Sequence, residues 1–587
     1  MLDTRERQRS RARHPAKHRR PRSWPGLFLS AARPQAVALA CVAGSILLWC
    51  VGFAGTDPRE MGDLGLLSQF NSAIVAAILL LLGSTLSCIY QHRPEWVVGT
   101  HLVTYLVLVH GTPAVLYDNV RYAWSYKHLG MVDFILRTGQ VDTGSDVNPI
   151  YHNWPGFFAA SGLIADLGGE GAANALALWA PLGFNLILLV VLRYLFRGLT
   201  DRPPVVRLAL LIYFTMTWVG QDYFSPQAAV YILYLGVVGL LVRHRHGGAG
   251  RTPVFVLLVA AMAVTHQITL VILLLAVGAL LVFRQVRGWY LMALAVGIVT
   301  AWALTFAVDY TLSNFQDLLS GFGQPLSNAE ATFGKSDGAG GAQRLVVWGD
   351  RFTVAVAVTL ALLGAWRGRR SGTLQRTPVL LMLAPVAILV QMSFGGEALL
   401  RVFLFSAPFI AFLAAEACAP RTGRDTVDQG RLAMAALALA LIFPGFLLGY
   451  YGKERYNYFT DQEIAASEWV AVHAPPGSLL VEGDVNYPRQ LRDLEKFTYV
   501  PIAYEPSVAS LLASPVDTLH QWLSNSRYVD GYVVVTRSQK LGIDMYGSLP
   551  PGALTEIEVE LSNSPLFDVV YFSGDATVFT LSDLGRR

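Results

Sequence analysis

Charge is scarce in this 587-residue chain. Asp, Glu, Lys and Arg make up 15% of it and hydrophobic residues 53%, where soluble domains carry about 25% charged residues, so a soluble enzyme is excluded. Cysteine is nearly absent. The four present, Cys41, Cys50, Cys88 and Cys418, fall in or beside apolar runs, and neither a disulfide framework nor a cysteine-built metal site is expected. Lysine is rare too, with 6 against 39 arginines. No P-loop and no convincing dinucleotide fingerprint occurs, which removes a cytosolic nucleotide pocket from consideration. There is no internal repeat, and no low-complexity tract beyond one Gly-rich stretch.

What the chain does have is long, continuous apolar runs. A spanning helix needs about 20 mainly apolar residues, and backbone facing lipid must be helical or part of a closed barrel. Runs near 35–54, 68–90, 97–116, 173–196, 203–220, 225–242, 252–266, 268–283, 288–308, 344–366, 377–393, 400–418 and 431–450 predict about thirteen transmembrane helices. Arginines collect on alternate connections: Arg93; Arg193 to Arg207; Arg243 to Arg251; Arg284 and Arg287; Arg367 to Arg376; and Arg421, Arg424 and Arg431. By the positive-inside rule those connections face the cytoplasm, and an odd number of crossings puts the C-terminus outside.

The net charge of +4 is a cancellation. Residues 1–33 hold ten basic residues against Asp3 and Glu6, a cytoplasmic tail that fixes topology and touches anionic membrane lipid; without interleaved aromatics it does not read as a nucleic-acid binder. Residues 451–587 hold 10 basic and 18 acidic residues. Strand-like runs at Ser478–Val481, Tyr532–Thr536, Val569–Phe572 and Ala576–Leu581 alternate there with helical stretches such as Asp461–Val472. The expected fold class is therefore a polytopic α-helical membrane protein with a small C-terminal extracytoplasmic α/β domain. Its parts are a tail (1–33), a membrane domain (34–450) with external loops 117–172 and 309–343, and an external domain (451–587). The first loop carries apolar residues at helical spacing from Tyr122 to Leu136 and predicts helices lying on the membrane surface. The second contains the glycines Gly321, Gly323, Gly334, Gly338, Gly340 and Gly341.

Unusual polar residues gather where spans meet the outer surface: Asp118, Tyr151-His152-Asn153-Trp154-Pro155, Asp222, Thr265-His266-Gln267, Asp309, and Glu397 with Arg401. A transporter keeps ionisable groups near the midplane; here mid-span positions are nearly clean, which favours an outward-facing interfacial site. Each residue also has an ordinary explanation. Asp118 is placed to cap a surface helix as well as to act as a carboxylate. Tyr151 and Trp154 suit an aromatic interface belt. His266 fits a hydrogen-bonded turn, and Glu397 and Arg401 stand four residues apart on one helix face. A cation at the depth of Arg401 also suits a lipid phosphate.

The run Tyr117-Asp118-Asn119-Val120-Arg121-Tyr122-Ala123, followed by a surface helix and by Asn153-Trp154-Pro155-Gly156-Phe157, resembles the first external loop of the glycosyltransferase C superfamily, especially family 39-like and protein mannosyltransferase-like members. Thr265-His266-Gln267-Ile268-Thr269, Gly395-Gly396-Glu397-Ala398-Leu399-Leu400-Arg401 and the closing Val569–Leu581 region are similar to elements of related bacterial enzymes. The resemblance implies sugar transfer from a polyprenyl-phosphate-linked donor to a glycan, lipid or protein acceptor at the outer face of the cell membrane. Asp118 would be the general base, and Arg121, Tyr151, His152, Trp154, Asp222, His266, Gln267, Glu397 and Arg401 would bind substrate. Many relatives carry two acidic residues where this chain has Asp118-Asn119, which leaves a divalent metal an open alternative and no cofactor certain. A polysaccharide polymerase or ligase using lipid-linked oligosaccharide shares these features. From other classes, a lipid or solute transporter or flippase, or a scaffold with an external binding domain, are the rivals.

Overall fold

The computed structural model describes residues 25–248, 250–316, 323, 340–390, 397–420 and 427–586, with side chains from Pro34 onward. The basic tail through residue 24, most of the Gly-rich stretch, Gly395, Gly396, Arg421 and Arg424 lie outside the described residues.

A helix stands at every predicted apolar run. Seven of the described helices are long and apolar enough to cross a membrane: Pro34–Phe53, Ser72–Tyr90, Ala172–Leu199, Pro226–Arg243, Gly341–Arg370, Ala398–Cys418 and Gln429–Asn457. Others, such as Pro203–Met216, Arg251–Ala263, Gln267–Val282 and Tyr290–Leu304, are shorter apolar helices of 10–17 residues. The chain is an integral membrane protein. Ala398–Cys418 is the hub, packed against Gly341–Arg370, Pro203–Met216 and Arg376–Leu383. The approach to Gly341–Arg370 is close enough that a Cβ at Gly364 would run into the Leu413 carbonyl oxygen.

The C-terminal residues form a five-stranded sheet in the order β2-β1-β3-β5-β4, where β1 is Ser478–Glu482, β2 Phe497–Pro501, β3 Gly531–Thr536, β4 Phe567–Phe572 and β5 Ala576–Leu581. β1 pairs in parallel with β2 and β3, while β5 runs antiparallel to β3 and β4. Both faces are covered. Alternate residues Leu479, Val481, Val533 and Val535 pack on Leu519, Ile543, Leu554 and Ile557, whereas Leu480, Tyr532 and Val534 pack on Val470 of the Asp461–His473 helix. Four strands match the predicted runs. β2 was not foreseen, because it is a short edge strand ending at Pro501 and entered from the charged turn Asp493-Leu494-Glu495-Lys496.

The first predicted loop is helical, as Ala123–Thr138, Pro149–Asn153 and Gly156–Gly168, but it does not lie on an open surface. Tyr126, Leu129, Met131 and Val132 are buried with Phe157, Phe158, Phe459 and Leu494, sandwiched between bundle and C-terminal domain. Contact is direct: a Cβ at Gly130 would meet the Gln490 carbonyl oxygen. Asn148 Nδ2 donates to Gln490 Oε1 at 3.0 Å, and Arg137 pairs with Asp493 and Glu495 at 3.3 and 3.0 Å.

Candidate functional site

Where bundle, first loop and C-terminal domain meet, a cavity of about 500 Å³ opens. The bundle contributes Tyr223, Gln227, His266, Gln267, Glu397 and Arg401; the first loop contributes Tyr122, Trp124, His128, Tyr151 and Trp154; the C-terminal segment contributes Lys453, Tyr456, Asn457, Asn486 and Tyr546. Of the residues singled out in the sequence, Tyr151, Trp154, His266, Gln267, Glu397 and Arg401 thus come together. Asp118, Arg121, His152 and Asp222 are not in the lining.

The tautomers of two histidines follow from their partners. His266 caps the Gln267–Val282 helix, and its Nδ1 accepts the Thr269 backbone N–H at 3.4 Å. A backbone N–H can only donate, so the proton of the neutral ring sits on Nε2. Burial, followed by the nearby charge of Arg401, pushes the His266 pKa down to about 3. His128 is its complement. Its Nδ1–H donates to the Phe224 carbonyl at 2.7 Å, leaving Nε2 to accept from the Tyr151 hydroxyl at 3.1 Å, and burial again lowers the pKa to about 3. The Tyr151 ring is thereby held in the wall. Lys127 lies over the Trp124 and Tyr151 rings, with Nζ at 4.6 and 5.2 Å from their centroids, and burial lowers its pKa to about 7.

A pH prediction follows. Groups with a depressed folded-state pKa favour the fold above the unfolded value, about 6.5 for histidine, and lose that contribution as pH falls toward the folded value. Neither His266 nor His128 changes charge between pH 5 and 8. The pH–rate profile of His266→Gln, which keeps a neutral donor, is expected to superimpose in shape on that of the parent across this range; a limb near pH 6.5 present in the parent and absent from the variant would contradict it.

Glu397 and Arg401 do pair, at 3.0 Å, and both line the cavity. Arg121 is turned inward. It bonds Glu454 at 2.5 Å and the Tyr450 hydroxyl at 3.2 Å, with 4% of Arg121 and none of Glu454 exposed. Asp222 joins the same interior network, its Oδ2 accepting from Asn185 at 2.8 Å and Tyr450 at 3.1 Å and lying 3.1 Å from His110. Burial alone would raise its carboxyl pKa, but His110, Arg121 and Asn185 hold it below the ordinary value. His152 faces the Phe134 ring and accepts the Asp142 backbone N–H, away from the cavity.

Asp118 is exposed. It does not cap the next helix, which begins at Ala123 with Tyr122 as its N-cap residue. Among the described residues it has no hydrogen-bonded or ion-paired partner, yet its neighbours are tied down: Tyr117 to Glu454 at 3.1 Å, Asn119 to Asp461 at 2.6 Å, and Arg121 to Glu454. Tyr122, four residues on, holds φ at 70°, an outlier for an aromatic residue that marks a constrained position.

Among the described residues no group of three or more His, Cys, Asp or Glu side chains is placed to hold a metal ion, so the donors present do not fit a protein-built metal centre.

Lys453, Tyr456, Asn457, Asn486 and Tyr546 escaped the sequence reading because they belong to the C-terminal segment, whose seating over the bundle has no local signal. The rarity of lysine was a usable hint for Lys453. Tyr122 and Tyr223 adjoin residues that were singled out, Arg121 and Asp222, and reach the cavity in their place.

No family model and no curated protein matches the sequence. The crystal structure of ArnT from Cupriavidus metallidurans bound to undecaprenyl phosphate is similar, at 14% identity over 84% of this chain and 99% of that one, with a TM-score of 0.50. Two structures of the Archaeoglobus fulgidus oligosaccharyltransferase align at 11% and 12% identity, covering 86% and 84% of this chain and 74% and 72% of that one, with TM-scores of 0.46 and 0.47; at those scores they add nothing to the ArnT match. Over 84% of its length, then, this chain shares the fold of that ArnT structure.

Proposed function

We propose that the protein is a membrane glycosyltransferase that moves a sugar from a polyprenyl-phosphate donor to an acceptor at the outer face of the cell membrane. The observation that carries this is the cavity, which combines two cations, neutral hydrogen-bond donors and an aromatic wall at the end of an apolar bundle. Its fold neighbour holds undecaprenyl phosphate. The outward sidedness rests on the arginines gathered at the opposite bundle end.

In this reading an acceptor hydroxyl oxygen attacks the anomeric carbon, the bond from that carbon to the phosphate oxygen breaks, and the electron pair leaves with the phosphate. Asp118, on its anchored loop and without a hydrogen-bonded or ion-paired partner among the described residues, takes the hydroxyl proton. Arg401, Lys453 and the Nε2–H of His266 are the groups that meet the charge growing on the phosphate. Because Asp118 is outside the cavity lining, the cavity takes the donor and the acceptor arrives from the loop side. Tyr151 and Trp154 offer ring faces and edges to the sugar, and the amides of Asn457 and Asn486 offer uncharged polar contacts.

Transfer from a radiolabelled polyprenyl-phosphate sugar by the purified protein in detergent tests the activity. Arg401→Ala is expected to weaken donor binding about 30-fold, or about 2 kcal/mol, if the phosphate contact is desolvated. Unchanged donor affinity would leave Arg401 with a structural role.

A further inference from the structure

The bundle holds a second cavity, of about 970 Å³, at the opposite end from the first. The Ala398–Cys418 helix links the two: Arg401 lines the first and Glu416 the second, roughly 22 Å further along at 1.5 Å per residue. Four arginines line this second cavity: Arg202, Arg367, Arg370 and Arg431. Two have carboxylates beside them, Arg202 with Glu416 at 2.8 Å and Arg431 with Asp428 at 3.7 Å. Among the described residues the other two do not. Arg367 donates to the Ala417 carbonyl and the Met434 sulfur, and Arg370 lies 4.0 Å over the Trp366 ring. Among the described residues, therefore, the lining carries two positive charges without a carboxylate beside them.

The apolar surroundings decide what kind of anion fits. Phe412, Leu413 and Met434 also line the cavity. Leu362, Trp366 and Arg370 follow one another at four-residue intervals, which puts them on one helix face. Leu362 and Trp366 are 56% and 49% exposed. An apolar stripe leading to an unmatched guanidinium suits an amphiphile whose chain lies along the stripe and whose phosphate sits at the arginine. A soluble phosphate would leave the stripe uncovered.

We infer that this arginine-lined cavity binds the headgroup of an anionic membrane phospholipid, its phosphate held by Arg367 and Arg370. The site is separate from the proposed transfer chemistry and stands whether or not that reading holds.

The test titrates delipidated full-length protein in detergent with phosphatidylglycerol, phosphatidylcholine or free glycerol phosphate and counts bound molecules by native mass spectrometry. Phosphatidylglycerol is expected to bind at least tenfold more tightly than phosphatidylcholine, and Arg367→Gln/Arg370→Gln is expected to remove that preference. Arg370→Glu alone, at an exposed position, guards against misfolding of the double variant and should weaken phosphatidylglycerol at least tenfold. Arg243→Gln, an exposed arginine stacked on Tyr194 outside the cavity, should change nothing. Undiminished phosphatidylglycerol binding in the cavity variants, or an equal loss in Arg243→Gln, would overturn the site. Glycerol phosphate binding as tightly as the lipid would overturn the lipid assignment.

Discussion

Replacing Asp118 with Asn is expected to cut sugar transfer by a hundredfold or more while leaving the protein folded and its donor affinity near normal. The magnitude is that of losing a positioned general base, about 10²–10⁴ in rate. Preserved folding follows from the side chain's isolation: an exposed carboxylate with no partner among the described residues has no native contact to lose. That combination separates chemistry from structure. A purely structural acidic residue would give the opposite result, a change in stability with little change in rate per folded molecule. A well-folded Asp118→Asn variant with the parent's rate would remove Asp118 from the mechanism, and Glu397, the carboxylate that lines the cavity, would become the next residue to replace.

The second large effect concerns stability. Arg121→Ala would leave Glu454 buried without its cation, with the Tyr117 hydroxyl and Asn457 amide as its partners among the described residues. Breaking a buried pair on one side costs about 3–5 kcal/mol. A marked fall in thermal unfolding temperature in detergent is the expected readout. Pairing Arg121→Met with Glu454→Met removes both charges and should recover most of the lost stability, since apolar replacement of a whole buried pair is often tolerated. It should not recover full activity, because Tyr122 and Asn457, which flank the pair in sequence and in space, both line the cavity. In this reading Arg121 positions the cavity wall, and the double variant tells position from stability. A single variant that unfolds at the parent's temperature would refute the argument.

Much of the fold was legible in the sequence because bilayer crossing demands continuous apolar runs that no other requirement imitates. The C-terminal α/β domain was legible from returning charge and alternating strands, except at β2, where proline and flanking charges hide a strand that only its neighbour β1 stabilises. The site was legible in part for a specific reason. Polar residues at helix ends, such as His266 and Arg401, stand out against apolar surroundings, and the cavity forms at those ends. Orientation is what the chain did not disclose. Arg121 looked like a ligand-binding cation because it follows Asp118 in a family-like run, but its partner Glu454 is more than 300 residues away, and nothing local distinguishes an inward guanidinium from an outward one. The C-terminal wall was invisible for the same reason: Asn486 and Tyr546 reach the cavity through tertiary docking, held in part by contacts such as Gly130 against Gln490.

The docked wall has a consequence for how the molecule comes into being. Asn486 and Tyr546 come after all the described helices that are long and apolar enough to cross a membrane, so a ribosome makes them later than the bundle. Until that stretch of chain has emerged, folded its sheet and settled against the Ala123–Thr138 helix, the bundle can be inserted and still possess only part of a pocket. The pocket is therefore completed only after the bundle has been made, and a chain truncated after Asn457 would keep its apolar helices without Asn486 and Tyr546 in the wall.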